Sequence, residues 1–337
     1  MVETRILPGD DGAAIREAAA AIRTGDPVAF PTETVYGLGA NALDAEAVAR
    51  VFAAKDRPSF DPLIVHLADP EELPRYAAAT DAADPRVAIL ATAFWPGPLT
   101  IVLRKLPVIP GIVTAGLDTV GLRVPDHPVA RALLEAAGVP IAAPSANRFG
   151  RVSPTRAEHV LAQLGGRIGI VLDGGPCRVG VESTVVMLAD GEALLLRPGG
   201  TPTEALEALI GPLAPLGRPG STSLAPGRGS RHYAPGPPLT LLGPTQGAPV
   251  TGGARVGLLA ADDAGRRGAE SGGGPYAAVE VLSPAGDPIE QAARLFEALH
   301  ALADAAVDRI VAQSVPETGL GRAIMDRLRR ASATADG

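Results

Sequence analysis

Val28-Ala29-Phe30-Pro31-Thr32-Glu33-Thr34-Val35-Tyr36-Gly37-Leu38-Gly39-Ala40 is the stretch around which the chain is organised. The apolar run before Pro31 reads as the end of a buried strand. Pro31 stops the ladder because it has no N–H to donate. Gly37 and Gly39 allow backbone approaches that a Cβ would block. Two hydroxyls and a carboxylate are thereby concentrated at a predicted strand-to-helix junction, where α/β proteins tend to bind ligands. Further on come Lys55-Asp56-Arg57-Pro58, two cations one residue apart. The pattern predicts that these two segments face each other across a pocket for a phosphorylated ligand.

The composition fits that reading. At 337 residues the chain is long enough for two domains. Hydrophobic residues make up 46% and charged residues 20%, as in ordinary globular proteins. No apolar run reaches the length of a membrane span, and the first residues carry no signal-peptide pattern. With a single Cys177 there is no intrachain disulfide, so a cytoplasmic location is expected. The net charge is −7: residues 1–211 hold 18 Lys+Arg against 25 Asp+Glu, and 212–337 hold 12 of each. Neither part has the basic excess of a protein whose main task is gripping a nucleic-acid backbone. Only two of the 30 basic residues are lysines, Lys55 and Lys105. Lys55 beside Arg57 therefore pairs a point charge with a planar fork, two different tools for one phosphate chain.

Along the chain, residues 10–24 predict an amphipathic helix, and Asp44 caps another that ends just before Lys55. Residues 63–67 read as a strand carrying His66, and 120–125 as a strand carrying Arg123. A cation in an apolar strand needs a buried partner, either a structural carboxylate or one belonging to a ligand. Asp126 and Pro128 are expected to start a helix that Gly138 ends. Residues 139–147 predict a strand running into a Ser145-Ala146-Asn147 turn. Thr155 and Glu158 predict a capping box, and 181–186 and 193–199 two further strands. Residues 212–238, with seven prolines and five glycines, read as a linker that carries Arg228, Arg231, His232 and Tyr233. Beyond it, strands at 239–242, 255–260, 277–282 and 308–313 alternate with helices, which predicts a parallel α/β domain. Walker, kinase, G-x-S-x-G, HExxH and CxxC patterns are all missing, so any ATP site must use a less common pocket.

Together, Pro31 to Gly39, Lys55-x-Arg57-Pro58, Pro62 to His66, Trp95 to Thr100, Pro144 to Asn147, Val181 to Thr184 and Leu196 to Gly199 resemble the threonylcarbamoyl-AMP synthases of the YrdC type. Arg231 to Pro235 and the extra domain match the long form. The resemblance is dense over residues 5–235. It implies a YrdC-like twisted open sheet with flanking helices forming a concave cleft, plus a smaller C-terminal, Rossmann-like parallel α/β domain. Domains of 1–211 and 239–337, joined by 212–238, are expected. The implied reaction joins L-threonine, bicarbonate and ATP into threonylcarbamoyl-adenylate and pyrophosphate, with Mg2+ accompanying ATP, and feeds threonylcarbamoyladenosine formation in tRNA. Carried over residue by residue, the resemblance puts Lys55 and Arg57 in catalysis. It puts Lys55, Arg57, Asp61, Thr119, Ser145, Asn147, Ser153, Arg197 and Tyr233 on the nucleotide. Thr32, Thr34, His66, Arg123, Ala143 and Ser183 would hold L-threonine. Asp61 departs from the family's usual Asn, and a carboxylate near phosphates repels them unless a metal intervenes or it faces away. A passing contact with the downstream tRNA threonylcarbamoyl transferase and with tRNA is expected, and no membrane.

Two other readings stay open on the sequence alone. One is an RNA-binding module, against which the acidic first part and the 3% aromatic content argue. The other is a carbamoyl-transfer enzyme of the same fold, as in hydrogenase maturation, although the zinc-finger and acylphosphatase modules of those proteins are missing. The linker is expected either to close over the pocket through Tyr233 or to act as a plain tether.

Overall fold

The computed structural model describes residues 2–58, 60–189, 192–215 and 232–333. They divide into two compact units. The first comprises Met1–Phe149, Pro154–Arg178 and Glu182–Arg228; the second comprises Gly150–Ser153, Val179–Val181 and Gly229–Gly337.

An eleven-stranded mixed sheet carries the first unit. Its strands are β1 (Arg5–Pro8), β2 (Val28–Phe30), β3 (Gly37–Asn41), β4 (Ile64–His66), β5 (Leu99–Arg104), β6 (Thr119–Arg123), β7 (Ile141–Ala143), β8 (Ile170–Asp173), β9 (Thr184–Ala189), β10 (Glu192–Arg197) and β11 (Ala214–Pro215). They lie side by side in the order β1-β8-β2-β3-β7-β4-β6-β5-β9-β10-β11. Around them run α1 (Gly12–Thr24), α2 (Ala45–Lys55), α3 (Ala79–Ala82), α4 (Pro85–Phe94), α5 (Pro128–Ala137), α6 (Ala157–Leu164) and α7 (Thr203–Ile210).

Strand register sorts the side chains by face, because alternate residues of a strand point to opposite sides. Val65, Leu122, Ala142, Ile101 and Val186 are register partners and share one face. They pack into one apolar cluster with Leu90 of α4 and Leu206 of α7. His66 pairs with Arg123, Ile64 with Gly121 and with Ala143, and Thr100 with Val185, which pairs with Arg197. That opposite face carries His66, Arg123, Gly121, Thr100 and Arg197 beside the apolar Ile64 and Val185, while Ile141 and Ala143 on it pack against α1 and α5. A small recess of about 10 Å³ lies among Pro62, Ile64, Thr100, Val102, Gly121 and Val185.

Several local expectations change. The chain after Phe30 does not enter a helix; it returns as β3, antiparallel to β2, with Phe30 opposite Gly37. Thr32 makes the turn, its Oγ1 accepting the N–H groups of Thr34 and Val35. Helix α2 runs through Lys55, ending at Asp56, whose φ of 54° is left-handed. His127, not Asp126, caps α5, its Nδ1 accepting the Val129 N–H, while the Asp126 N–H donates to Glu33. Thr155 caps nothing; its N–H donates to His159 Nδ1, and α6 opens at Ala157 without a side-chain cap. Val181, Glu182 and Ser183 precede β9 rather than belong to it, since the Arg197 guanidinium occupies the Ser183 carbonyl. The helix expected over 10–24 and the strands expected at 63–67, 120–125, 193–199, 239–242, 255–260, 277–282 and 308–313 are present to within two residues at their ends, whereas β1, α3, β11 and a helix over Asp263–Gly273 were not anticipated.

The second unit has a four-stranded parallel sheet: β12 (Leu239–Leu242), β13 (Val256–Ala260), β14 (Ala278–Val281) and β15 (Arg309–Gln313). Their order is β12-β15-β13-β14, with α8 (Asp263–Gly273), α9 (Pro288–Asp304) and α10 (Gly321–Ser332) as its helices. The expected parallel α/β domain is therefore present. Inside this unit Tyr233 stacks on Phe296 of α9 with ring centroids 5.4 Å apart, and the Arg327 guanidinium of α10 lies 5.7 Å from its ring. Ala234 bridges to Arg151, and His300 reaches the Ser153 carbonyl at 3.2 Å. Arg228 and Arg231, singled out in the linker, lie outside the described residues. Among the described residues no helix is long and apolar enough to cross a membrane.

Candidate active site

The loop between β2 and β3 meets Arg123 of β6, although β3, β7 and β4 intervene in the sheet. Arg123 Nη2 donates to Thr34 Oγ1 at 3.0 Å and lies 2.6 Å from Glu33 Oε1; its Nε donates to the Gly97 carbonyl at 3.2 Å. Among the described residues Nη1 makes no hydrogen bond. Thr32 spends its one proton on the Val35 carbonyl at 2.6 Å and stands 2.8 Å from Thr34 Oγ1. Thr34 is then the donor of that pair and an acceptor toward Arg123. The loop thus hands the sheet face lone pairs rather than protons.

His66 extends the same character. Burial, helped by the nearby Arg123 charge, pulls its pKa down to about 3. The ring is neutral near pH 7, and Nδ1, 3.3 Å from the Ile141 carbonyl, carries the proton. Nε2 is left as an acceptor. One cationic edge beside several acceptors is complementary to an α-amino acid, with a carboxylate at one end and an amine and hydroxyl at the other.

A second cluster forms where α2 ends. Lys55 Nζ donates to the carbonyls of Ser145 and Asn147, which locks the Ser-x-Asn turn against the helix. Ser145 Oγ donates to Asn147 Oδ1 at 2.5 Å. Arg57 donates to the Asp61 and Pro62 carbonyls and pairs with the Asp61 carboxylate at 2.8 Å. Its guanidinium lies 5.9 Å from the Phe52 ring and 6.0 Å from that of Phe149. Lys55 is only 1% exposed; burial first, then the Arg57 charge, holds its pKa far below that of a free lysine. Burial and the like charge of Arg57 both disfavour the ammonium form of Lys55, and the two carbonyls it donates to hold it in place. The doubtful Asp61 is explained by its pairing: Arg57 absorbs its charge.

A third cluster lies at the edge of the same face. Arg197 donates to the carbonyl of Ser183 at 3.0 Å and to its Oγ at 3.2 Å. Ser183 Oγ is 2.8 Å from Thr100 Oγ1. Ala143, Thr119 and Thr100 lie on the floor between the clusters by register. The structure thus brings Thr32, Thr34, His66 and Arg123 together, Lys55, Arg57, Asp61, Ser145 and Asn147 together, and Ser183 with Arg197. Ser153 and Tyr233 belong to the second unit, and their assignment rests on the resemblance alone. Sequence reasoning noted the Glu33 carboxylate and quoted Thr100 in a motif without giving either a role, and it passed over Gly121. Gly121 was detectable, since a glycine inside the apolar strand Val120 to Val124 marks a close approach.

Among the described residues no three or more His, Cys, Asp or Glu side chains gather as a metal site. Clusters of cations, hydroxyls and an imidazole borne by a mixed sheet and its loops mark the class as an α/β enzyme. Residues 20–199 match the family described as telomere recombination, and residues 201–333 match the threonylcarbamoyl-AMP synthase C-terminal domain. The chain belongs to the threonylcarbamoyl-AMP synthase family, whose members are nucleotidyltransferases that release pyrophosphate. It is 47% identical to the threonylcarbamoyl-AMP synthase of Pyrococcus abyssi over 94% of both chains. With that of Halorhodospira halophila it shares 38% identity over 55% of this chain and 94% of that one. The crystal structure of Pyrococcus abyssi Sua5 complexed with L-threonine superposes with a TM-score of 0.85 at 42% identity, covering 98% of this chain and 97% of that one.

Proposed function

We propose that the chain makes threonylcarbamoyl-adenylate from L-threonine, bicarbonate and ATP, for threonylcarbamoyladenosine formation in tRNA. The observation that carries this reading is a pair of clusters within the first unit: an amino-acid-shaped one at Arg123, Thr34 and His66, and buried Lys55 and Arg57 beside the Ser145-Ala146-Asn147 turn. Arg123 takes the carboxylate of L-threonine, and Thr34 and His66 accept from its amine and hydroxyl. Attack of the amine on bicarbonate forms the C–N bond, breaks a C–O bond and releases water, leaving an N-carboxy anion. One of its oxygens forms a bond to the α-phosphorus as the bond to the β-phosphate oxygen breaks and pyrophosphate leaves. The barrier is largely charge repulsion and positioning, so preorganised cations and hydroxyls supply most of the catalysis. Lys55, Arg57, Ser145, Asn147 and Arg197 are the groups proposed to meet the nucleotide.

Mg2+ is proposed to enter on the phosphates of ATP and to neutralise part of their charge. That fits a chain whose Asp61 is committed to Arg57, since Mg2+ is commonly held by phosphate oxygens and water with few protein ligands. A cytoplasmic setting, where ATP and tRNA are present, follows from the same reading, as does a transient encounter with the transferase that consumes the adenylate. The deciding experiment is ATP-to-pyrophosphate turnover with L-threonine and bicarbonate supplied together and each withheld. Pyrophosphate release only when both are present is expected. Release that ignores either one overturns the reading.

A further inference from the structure

We propose that Glu33 is a positioning residue for Arg123: its carboxylate holds one guanidinium nitrogen so that the other, Nη1, is presented to the carboxylate of the amino-acid substrate. The inference rests on the reading above that this cluster takes L-threonine.

Glu33 is fully buried, where an unpaired carboxylate would strongly destabilise the fold. Its two oxygens do different work. Oε2 accepts the Asp126 N–H at 3.0 Å, tying the loop to the backbone just beyond β6. Oε1 lies 2.6 Å from Arg123 Nη2, close enough for strong attraction but without a well-angled hydrogen bond. Arg123 is therefore held from three directions: Glu33 and Thr34 at Nη2, and the Gly97 carbonyl at Nε. Guanidinium is a rigid plane, so fixing Nε and Nη2 also fixes where Nη1 points. Attraction alone needs no such arrangement; orientation does. The Arg123–Glu33 pair is neutral overall, so selection of a carboxylate depends on where the N–H groups aim rather than on net charge.

The test compares L-threonine with L-threoninamide, which keeps the side chain and amine but lacks the carboxylate, by calorimetry on the full chain. Wild type is expected to prefer L-threonine. Glu33→Ala is expected to weaken L-threonine by about 10- to 100-fold, as for a lost charge-assisted contact, and L-threoninamide by less than about threefold, so the preference collapses. Glu33→Gln keeps the shape and an acceptor for Asp126, so it should fall between the two. If Glu33→Ala does not fold, Glu33→Gln carries the same comparison. Equal weakening of both ligands, or no weakening of either, overturns the positioning role. A wild-type chain that prefers L-threonine while the variants keep that preference sinks this proposal alone. A wild-type chain that binds neither ligand sinks the functional reading as well.

Discussion

His66 is the residue whose environment makes the sharpest claim. Its pKa falls to about 3 in the folded chain, chiefly through burial, against an ordinary value near 6.5. Between those values the unfolded chain binds the proton and the folded one does not. Stability from this residue is therefore complete above pH 6.5 and is lost as pH falls toward 3, at about 1.4 kcal/mol per pH unit. Chemical denaturation from pH 7.5 to 4.5 should show that loss, and His66→Asn, which keeps a donor for Ile141, should flatten it. An unchanged slope would mean His66 is protonated in place. Lys55 gives a second residue-scale expectation. Lys55→Met strands the Ser145 and Asn147 carbonyls, which should lower stability by about 2–5 kcal/mol and abolish adenylate formation. Lys55→Arg should not restore activity, because a nearly fully buried ammonium site leaves no room for a planar fork. Pyrophosphate release and melting temperature report both. Lys55 and Arg57 were legible because lysine is rare in this chain. The pairing of Glu33 with Arg123 was not, since the two lie far apart in the sequence and only the folded sheet brings them together.

Elements were legible where a local rule acts alone and misread where a distant group intervenes. Asp44 caps α2 and Gly138 ends α5 as expected, because both effects are confined to one helical turn. The capping box at Thr155 failed because His159 takes the backbone N–H that the motif reserves for a side-chain oxygen. The strand expected at 181–186 starts late because Ser183 is claimed by Arg197. That turn leads to a prediction about Gly199. A Cβ there would lie 2.3 Å from the Glu182 carbonyl oxygen and 2.4 Å from the Thr184 nitrogen, both backbone atoms that cannot swing aside. Gly199→Ala should push Ser183 away from Thr100 and cost about 2–4 kcal/mol, with turnover falling alongside. Gly138→Ala, at φ +66° with open space around it, should cost about 1 kcal/mol and leave turnover intact. Equal effects from the two would show that the Arg197 turn does not bear on the site.

At the scale of the whole molecule, the division of the chain is less simple than a linker between two blocks. Residues 150–153 and 179–181 come from the middle of the first unit's sequence yet belong to the second. No local pattern announced this, because the composition changes only after residue 211. Within the second unit these short pieces are well held: the Ala234 N–H donates to the Gly150 carbonyl at 2.8 Å, and Gly180 packs so closely on Ala292 and Ala293 that a Cβ would meet their carbonyls at 2.5 Å or less. Stopping the chain after Gly211 removes all of those partners at once. The first unit keeps its own apolar clusters, and relatives about the length of that unit exist, so the fragment should fold cooperatively. Two released segments that no longer have partners should nevertheless make it a poorer enzyme, with pyrophosphate release down by about tenfold or more at a largely preserved melting temperature. A fragment that turns over at the full-length rate would reduce the second unit to an appendage. A fragment that does not fold would show that the two short segments carry stability rather than catalysis, and restoring 229–337 in trans should then recover folding and turnover together.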